Sequence, residues 1–134
     1  MTFDWNNYLV LAKKLATDKA DDAALRTAVS RSYYCIFNLA MTKAKGNQYT
    51  SKDDASSHDQ LWSLYGRNTD KDCEQISLIG ARMKRRRVKA DYRAFFDNLK
   101  DEVEDAIEDA EECLKLLDQM SKDLPKDLPR SWSF

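Results

Sequence analysis

The sequence predicts an all-α fold with an antiparallel four-helix core and one short extra helix. Apolar residues recur at helical spacing in five segments, and signals for β-strands are nearly absent. Both prolines, Pro125 and Pro129, follow the last of these segments, so no predicted helix is interrupted by proline. A length of 134 residues and a hydrophobic content of 43% suit one domain with a single core.

The first two predicted helices occupy the N-terminal third of the chain. The first is capped by Thr2 and ends before a polar segment over residues 17–22. Its apolar residues follow a helical period: Tyr8, Leu9, Leu11, Ala12, Leu15 and Ala16. The second begins near Asp21 or Asp22 and runs to about Ala44. Apolar residues cover most of its circumference, which predicts a position at the centre of the bundle.

A short third helix follows a polar loop over residues 45–56. Ser57 and Gln60 have the spacing of a capping box at its start, and the helix is predicted to run through Tyr65 and end at Gly66.

The last two helices are predicted over about 72–89 and 97–121. The prolines then end helical propagation, which divides the chain into a helical domain, residues 1–122, and a tail, residues 123–134. Two aromatic residues of this tail, Trp132 and Phe134, are predicted to dock on the domain or on a second subunit.

Charge is distributed very unevenly, although the formal net charge is only −1. Residues 82–93 contain seven basic residues and one acidic residue, whereas residues 97–118 contain ten acidic residues and two lysines. Four consecutive bases, Lys84 to Arg87, favour a polyanion or an acidic protein surface as partner. The acidic fifth helix is such a surface, either within the subunit or from a neighbour.

The cysteines and the one histidine have no spacing typical of a metal site. Cys35, Cys73 and Cys113 are odd in number and occupy apolar helical positions, which predicts reduced core residues. We therefore expect no metal and no cofactor. The N-terminus lacks the pattern of a secretion signal, and no apolar run is long enough to cross a bilayer. A cytoplasmic protein without a membrane partner is expected.

One face of the second helix carries polar groups on an otherwise apolar surface. Arg31 and Asn38 are seven residues apart, nearly two helical turns, so they share a face with Tyr34 between them. A buried guanidinium is costly unless it meets an anion or a partner. This face is therefore predicted to hold the functional site.

Two motifs resemble those of a known superfamily. The segment Ser30-Arg31-Ser32-Tyr33-Tyr34-Cys35-Ile36-Phe37-Asn38 is similar to the arginine, double-tyrosine, phenylalanine and histidine signature of short prokaryotic HEPN proteins. Arg87-Val88-Lys89-Ala90-Asp91-Tyr92 is similar to their second motif, an arginine followed by Ala-Asp-Tyr, and His58 also fits the family pattern. The resemblance covers residues 24–92 and implies a HEPN-like helical fold.

The resemblance also implies a function. Many HEPN proteins are metal-independent endoribonucleases whose dimers bring the arginine and histidine of each subunit to one cleft. In this chain Asn38 replaces that histidine, and an amide cannot accept a proton as a neutral imidazole can. Asn38 could still orient a hydroxyl or a phosphate. Arg31, Asn38 and His58 are the candidate catalytic residues, and whether the chain is an enzyme stays open.

Each candidate also has a structural interpretation. Arg31 could pair with a carboxylate or with the carbonyls of a helix end. His58 is either a displaced general base or an exposed residue beside a helix N-terminus, where the dipole lowers its pKa. Tyr33 and Phe37 are predicted to pack in the core or at a dimer interface, and only Tyr34 to line the cleft.

The remaining candidates lie around the second motif. The residues predicted to bind RNA or phosphate are Tyr34, Lys84, Arg85, Arg86, Arg87 and Lys89. Asp91 and Tyr92 are predicted to have a structural role, locking the turn after the fourth helix, with Asp91 paired to Arg87.

Three functions of different classes follow from these interpretations. The favoured one is a homodimeric RNase-like protein of a prokaryotic toxin–antitoxin or antiviral defence system, which cleaves or binds RNA at the dimer cleft and has a cognate antitoxin. The second is a catalytically silent HEPN module that binds a nucleotide, RNA or a protein, for example a minimal nucleotidyltransferase. The third is a structural helical subunit whose charged poles drive salt-sensitive assembly.

Overall fold

A computed structural model describes residues 2–120 of the chain, so the predicted C-terminal tail with Trp132 and Phe134 lies outside the described residues. Within residues 2–120 the structure contains helices and no strand, which confirms the all-α prediction. The helices are α1 (Asn6–Leu15), α2 (Asp22–Lys45), α3 (Ser57–Gly66), α4 (Lys71–Tyr92) and α5 (Leu99–Gln119).

The central helix is α2, as its apolar circumference predicts. It packs against α1, α4 and α5, and half of its residues are buried. The short helix α3 packs mainly on α4. The three cysteines are buried among these helices, and burial raises the pKa of the Cys35 thiol to about 11. None of the described helices is long and apolar enough to span a bilayer.

Side-chain caps explain where two of the helices start. Asp21 caps α2, because its Oδ1 accepts a hydrogen bond of 2.8 Å from the backbone N of Ala24. Asp70 caps α4 in the same way, accepting from the backbone N of Asp72 at 2.9 Å and of Cys73 at 3.1 Å. The predicted start of α2 is confirmed.

Two predicted helix caps, Thr2 and Ser57, are wrong. Helix α1 begins at Asn6 rather than after Thr2, because the Asp4 carboxylate accepts a 3.0 Å hydrogen bond from the backbone N of Asn6 and organises the first turn. The first residue before α3 is Ser56, and Gln60 Nε2 donates to its hydroxyl at 3.0 Å. No side-chain cap forms at the start of α3, so the capping box predicted for Ser57 and Gln60 is not formed.

The end of α4 lies three residues beyond the predicted one, at Tyr92. Arg26 of α2 holds this end: its Nη1 donates to the Ala90 carbonyl at 3.1 Å and its Nη2 donates to the Ala94 carbonyl at 3.0 Å. Nη1 also donates to the carbonyl of Arg93. The Ala90 carbonyl belongs to the last turn of α4, where carbonyls lack partners within the helix, and the other two carbonyls follow the helix. One guanidinium therefore satisfies three acceptors.

We expect Arg26→Met to lower the free energy of unfolding by about 1–2 kcal/mol, because these charge-assisted hydrogen bonds are lost and the carbonyls are partly exposed to water. Urea unfolding of the purified protein measures this change. Arg85→Met removes the same charge from an exposed position of α4 and is expected to leave stability nearly unchanged. Equal losses in both variants would contradict the role given to Arg26.

The contact between α3 and α4 includes an unusually close approach at Gly80. A Cβ added to Gly80 would lie 2.3 Å from Trp62 Cδ2 and Cε3. Because glycine has no Cβ, the indole of Trp62 can lie directly on the backbone of α4. This packing fixes the position of Trp62, which takes part in the site described next.

Candidate functional site

Two arginines from different helices lie on one aromatic ring. The Cζ atom of Arg31, on α2, is 5.1 Å from the ring centroid of Tyr34, and that of Arg87, on α4, is 5.4 Å from the same centroid. Arg31 also lies 4.6 Å from the ring of Tyr8, which α1 contributes. Such cation–π contacts offset part of the cost of desolvating a guanidinium. We call Arg31, Arg87 and Tyr34 the arginine cluster.

The arginine cluster has little opposing charge. Asp91 Oδ2 is 3.5 Å from Arg87 Nη1 and accepts a hydrogen bond of 3.3 Å from Ser30 Oγ, and both distances are long. Within residues 2–120, Arg31 forms no ion pair. Its one hydrogen bond is donated by Nη2 to Ser30 Oγ at 3.5 Å. The two guanidiniums therefore retain a net positive charge.

Arg87 is the most deeply buried charged group of the cluster. Arg87 is only 8% exposed, and its Nε has no hydrogen-bond partner in the described part of the chain. A buried donor without an acceptor costs free energy, and an anion placed against it would recover that cost. Both arginines can donate bidentate hydrogen bonds to a phosphate.

His58, the second residue of α3, adjoins this cluster through aromatic contacts. Its ring stacks on Phe37 at 4.1 Å and meets Tyr34 edge to face at 5.9 Å. Its Nδ1 is 2.7 Å from the hydroxyl of Tyr33, and Trp62 Nε1 donates to the same hydroxyl at 3.1 Å. A chain of hydrogen bonds from Trp62 through Tyr33 thus orients the imidazole.

The surroundings keep the imidazole of His58 neutral near pH 7. Its pKa is lowered, first because burial disfavours the charged form and then because Arg87 and Lys84 are positive. The predicted direction is confirmed, but the main cause is burial rather than the helix dipole. His58 is half-buried, so the interpretation as an exposed surface residue is wrong.

Tyr33 takes part in this network as a neutral hydroxyl, because burial raises its pKa far above the usual value. Its oxygen can accept from both Trp62 Nε1 and a protonated Nδ1 of His58, and then Nε2 of His58 is free to accept a proton. In the other tautomer Tyr33 donates to Nδ1, and Nε2 carries a proton that it can donate. The arrangement therefore supports proton transfer in either direction at Nε2.

Asn38 lies on the same face of α2 as Arg31, but its side chain is used locally. Its Nδ2 donates a 2.8 Å hydrogen bond to the backbone carbonyl of Tyr34, one turn earlier. No hydrogen bond joins Asn38 to Arg31, Arg87 or His58 in the part of the chain described. The structure thus places Arg31 and His58 each against the ring of Tyr34 and leaves the amide of Asn38 engaged with its own helix.

The basic run of α4 is divided between several partners. Lys84 pairs with Asp59 at 2.7 Å, and Arg86 pairs with Glu102 at 2.8 Å and with Asp109 at 3.1 Å. Helix α5 is therefore an acidic partner within the subunit, one of the two alternatives that the sequence leaves open. Of the residues predicted to bind RNA or phosphate, only Tyr34 and Arg87 join the arginine cluster.

The positions predicted for Asp91 and Tyr92 need one correction. Both belong to the last turn of α4 rather than to the turn after it. The turn after α4 is held by Arg26, which donates hydrogen bonds to the carbonyls of Arg93 and Ala94. The predicted pairing of Asp91 with Arg87 is confirmed at 3.5 Å. The ring of Tyr92 lies 5.7 Å from Arg87 and is 75% exposed.

Three contributors to the site were missed in the sequence: Tyr8, Ser30 and Trp62. Tyr8 has the position of an apolar residue of the first helix, and only the packing of α1 on α2 brings it to Arg31. Trp62 has no sequence signal for its bond to Tyr33, which joins α3 to α2. Ser30 directly precedes Arg31 in the sequence, and this adjacency was the one signal that could have predicted its place in the site.

The fold and this site together define a class: an all-α bundle whose central helix carries an arginine beside a second arginine and a neutral imidazole. Residues 8–120 match the family model of the HEPN domain, and the chain belongs to this family. No curated protein and no solved structure is significantly similar to the chain. Membership is consistent with an RNase-like or nucleotide-binding module.

Proposed function

We propose that this protein is an RNase-like HEPN protein that binds RNA at the arginine cluster and cleaves it without a metal. The observation that carries the proposal is that Arg31, Arg87 and the neutral imidazole of His58 all contact the ring of Tyr34. Within residues 2–120, Asp91 is the one carboxylate that pairs with either arginine, and its distance of 3.5 Å from Arg87 is long. This combination of charge and a proton-accepting group suits phosphodiester cleavage.

The proposed reaction uses the ribose as its own nucleophile. His58 Nε2 accepts the proton of the 2′-hydroxyl while its oxygen forms a bond to phosphorus. The bond from phosphorus to the 5′-oxygen breaks, and that oxygen receives the proton back from Nε2. Arg31 and Arg87 stabilise the additional negative charge on the pentavalent phosphate. The products are a 2′,3′-cyclic phosphate and a 5′-hydroxyl.

The biological setting is proposed from the family resemblance. HEPN domains often dimerise, and a homodimer would place two arginine clusters on one cleft. A metal-independent RNase suits a prokaryotic toxin–antitoxin or antiviral defence system, in which a cognate antitoxin would cover the cleft. Neither the dimer nor the antitoxin is needed for the chemistry proposed within one subunit.

Cleavage of RNA in EDTA tests the proposal. We expect purified wild-type protein to cut mixed tRNA or single-stranded RNA and leave 2′,3′-cyclic ends, and Arg31→Ala to cut at least about 10²-fold more slowly. Arg82→Ala is the matched control, because Arg82 pairs with Asp109 outside the arginine cluster. Circular dichroism confirms that each variant is folded. A folded wild type without activity, or equal rates in wild type and Arg31→Ala, would reject the proposal.

A second function is favoured by one observation, the amide of Asn38 in place of the family's histidine and its bond to the Tyr34 carbonyl. In this alternative the protein is a catalytically silent module that binds a nucleotide, RNA or a protein such as a minimal nucleotidyltransferase. Isolation of the endogenous protein should then yield a bound nucleotide or a stable partner. Recovery of the protein with neither would exclude this function.

A further inference from the structure

Outside the arginine cluster, the C-terminal half of α4 and the residue after it carry three cations that form no ion pair in the described part of the chain. Arg85, Lys89 and Arg93 are exposed and form no ion pair within residues 2–120. Successive members are four residues apart, which places the two helical ones on one side of α4. The neighbouring cations Lys84 and Arg86, in contrast, are paired with carboxylates.

These cations line two adjoining grooves. A groove of about 270 Å³ is lined by all three cations together with Ala81 and Val88. Lys89 and Arg93 also line a second groove of about 290 Å³, which continues to Phe95 and Phe96. The shared residues make the two grooves one continuous surface, which we call the α4 track.

Phe95 is the second component of the α4 track. It is 79% exposed, the largest exposure among the large hydrophobic residues of the described chain. Two of the carboxylates that line the grooves, Asp59 and Glu102, are already neutralised by Lys84 and Arg86. Asp97, at the Phe95 end, is not neutralised by an ion pair and marks the limit of the positive surface.

We propose that the α4 track binds a single-stranded segment of RNA. Cations in a groove follow the phosphates of a strand, and an exposed aromatic ring stacks on an unpaired base. The bases of a duplex are stacked on one another, so Phe95 would find no free base face to stack on. An acidic protein would use the cations but offers no unpaired base to stack on Phe95. The proposal rests on the proposed function only in the choice of RNA as ligand.

Fluorescence anisotropy with a labelled 12-nucleotide 2′-O-methyl RNA tests the α4 track. This probe cannot be cut by attack of a 2′-hydroxyl, so binding is measured without cleavage. The test variant replaces Arg85, Lys89 and Arg93 with glutamine. The control variant replaces three exposed lysines elsewhere with glutamine and changes the net charge by the same amount. They form no ion pair with other described residues: Lys14, Lys19 and Lys115.

We expect the test variant to bind at least tenfold more weakly than the control variant. The slope of log affinity against log salt should fall by about 2, because each phosphate contact with a single strand contributes about 0.7. Phe95→Ala should weaken binding about tenfold, as loss of one stacked base does, and Phe3→Ala, at another exposed aromatic, should not. A duplex of the same length should bind at least tenfold more weakly than the single strand.

The outcomes separate this proposal from the proposed function. Equal affinity of the test and control variants, or of Phe95→Ala and Phe3→Ala, would overturn the α4 track, as would duplex binding as tight as single-strand binding. A wild type that binds the probe through these residues but leaves unmodified RNA intact would uphold the α4 track and reject the nuclease.

Discussion

Replacing His58 with glutamine is expected to lower the rate of RNA cleavage by about 10²- to 10⁴-fold, the usual contribution of a positioned acid–base group. Glutamine keeps a polar side chain near the Tyr33 hydroxyl but cannot accept a proton from ribose. Asn38→Ala is the informative comparison, because it removes only a hydrogen bond to the Tyr34 carbonyl. We expect that variant to stay within about tenfold of wild type.

The pH dependence of the rate gives a second measure of His58. Its pKa is lowered from 6.5, so the imidazole is neutral at pH 7 and activity should fall only at more acidic pH, as Nε2 becomes protonated. Single-turnover rates between pH 5 and pH 8 measure this acid limb in wild type, and His58→Gln should lack it. If Asn38→Ala loses as much activity as His58→Gln, proton transfer by His58 is the wrong assignment.

The same pKa has a consequence for folding. His58 binds a proton less tightly in the folded protein than in the unfolded chain, because burial and Arg87 disfavour the cation. Its contribution to stability is therefore fully present above pH 6.5 and is lost as the pH falls through the lowered folded-state pKa. The His58→Gln variant should lack this part of the acid sensitivity, as measured by urea unfolding at several pH values.

Gly80→Ala is expected to lower the free energy of unfolding by about 2 kcal/mol or more, a larger loss than that expected for Arg26→Met. Alanine has the better helix propensity, by about 1 kcal/mol, so propensity alone predicts stabilisation. The new Cβ would lie 2.3 Å from the ring of Trp62, which is only 3% exposed and cannot move freely. Overpacking of a buried site costs about 1–3 kcal/mol and more when the obstacle is rigid.

The Gly80→Ala substitution should also affect the functional site. A displaced Trp62 loses its 3.1 Å hydrogen bond to Tyr33, whose hydroxyl orients His58. We therefore expect Gly80→Ala to lower cleavage even at temperatures where the variant remains folded. Urea unfolding and the cleavage rate measured on the same preparation test both effects.

Gly46→Ala is the matched control for this substitution. Gly46 follows α2, its φ of −63° suits any residue, and an added Cβ would meet only two backbone carbonyl oxygens at 3.4 and 3.5 Å. Alanine there restricts the unfolded chain, so stability should stay equal or rise by up to about 1 kcal/mol. A Gly80→Ala variant as stable as Gly46→Ala would contradict the packing described for Trp62.

Part of the candidate site was predictable because motif spacing and helical period specify it. The pattern of α2 predicted a central helix with Arg31 on a polar face, and the second motif predicted the pairing of Arg87 with Asp91. The roles of Arg26 and Trp62 were not predictable, because their partners lie on other helices and no local pattern encodes such contacts.

The sequence by itself determined the all-α class, the central position of α2 and the membership of the HEPN family, because helical period and residue spacing act over one or two helical turns. Only the tertiary structure decided which charges remain available. Helix α5 neutralises Arg86, and Asp59 neutralises Lys84. Arg31 and Arg87 meet on Tyr34, where Asp91 is their one weak counter-charge in the part of the chain that the structure describes. Coulombic and cation–π contacts depend on distances between helices, and packing sets those distances.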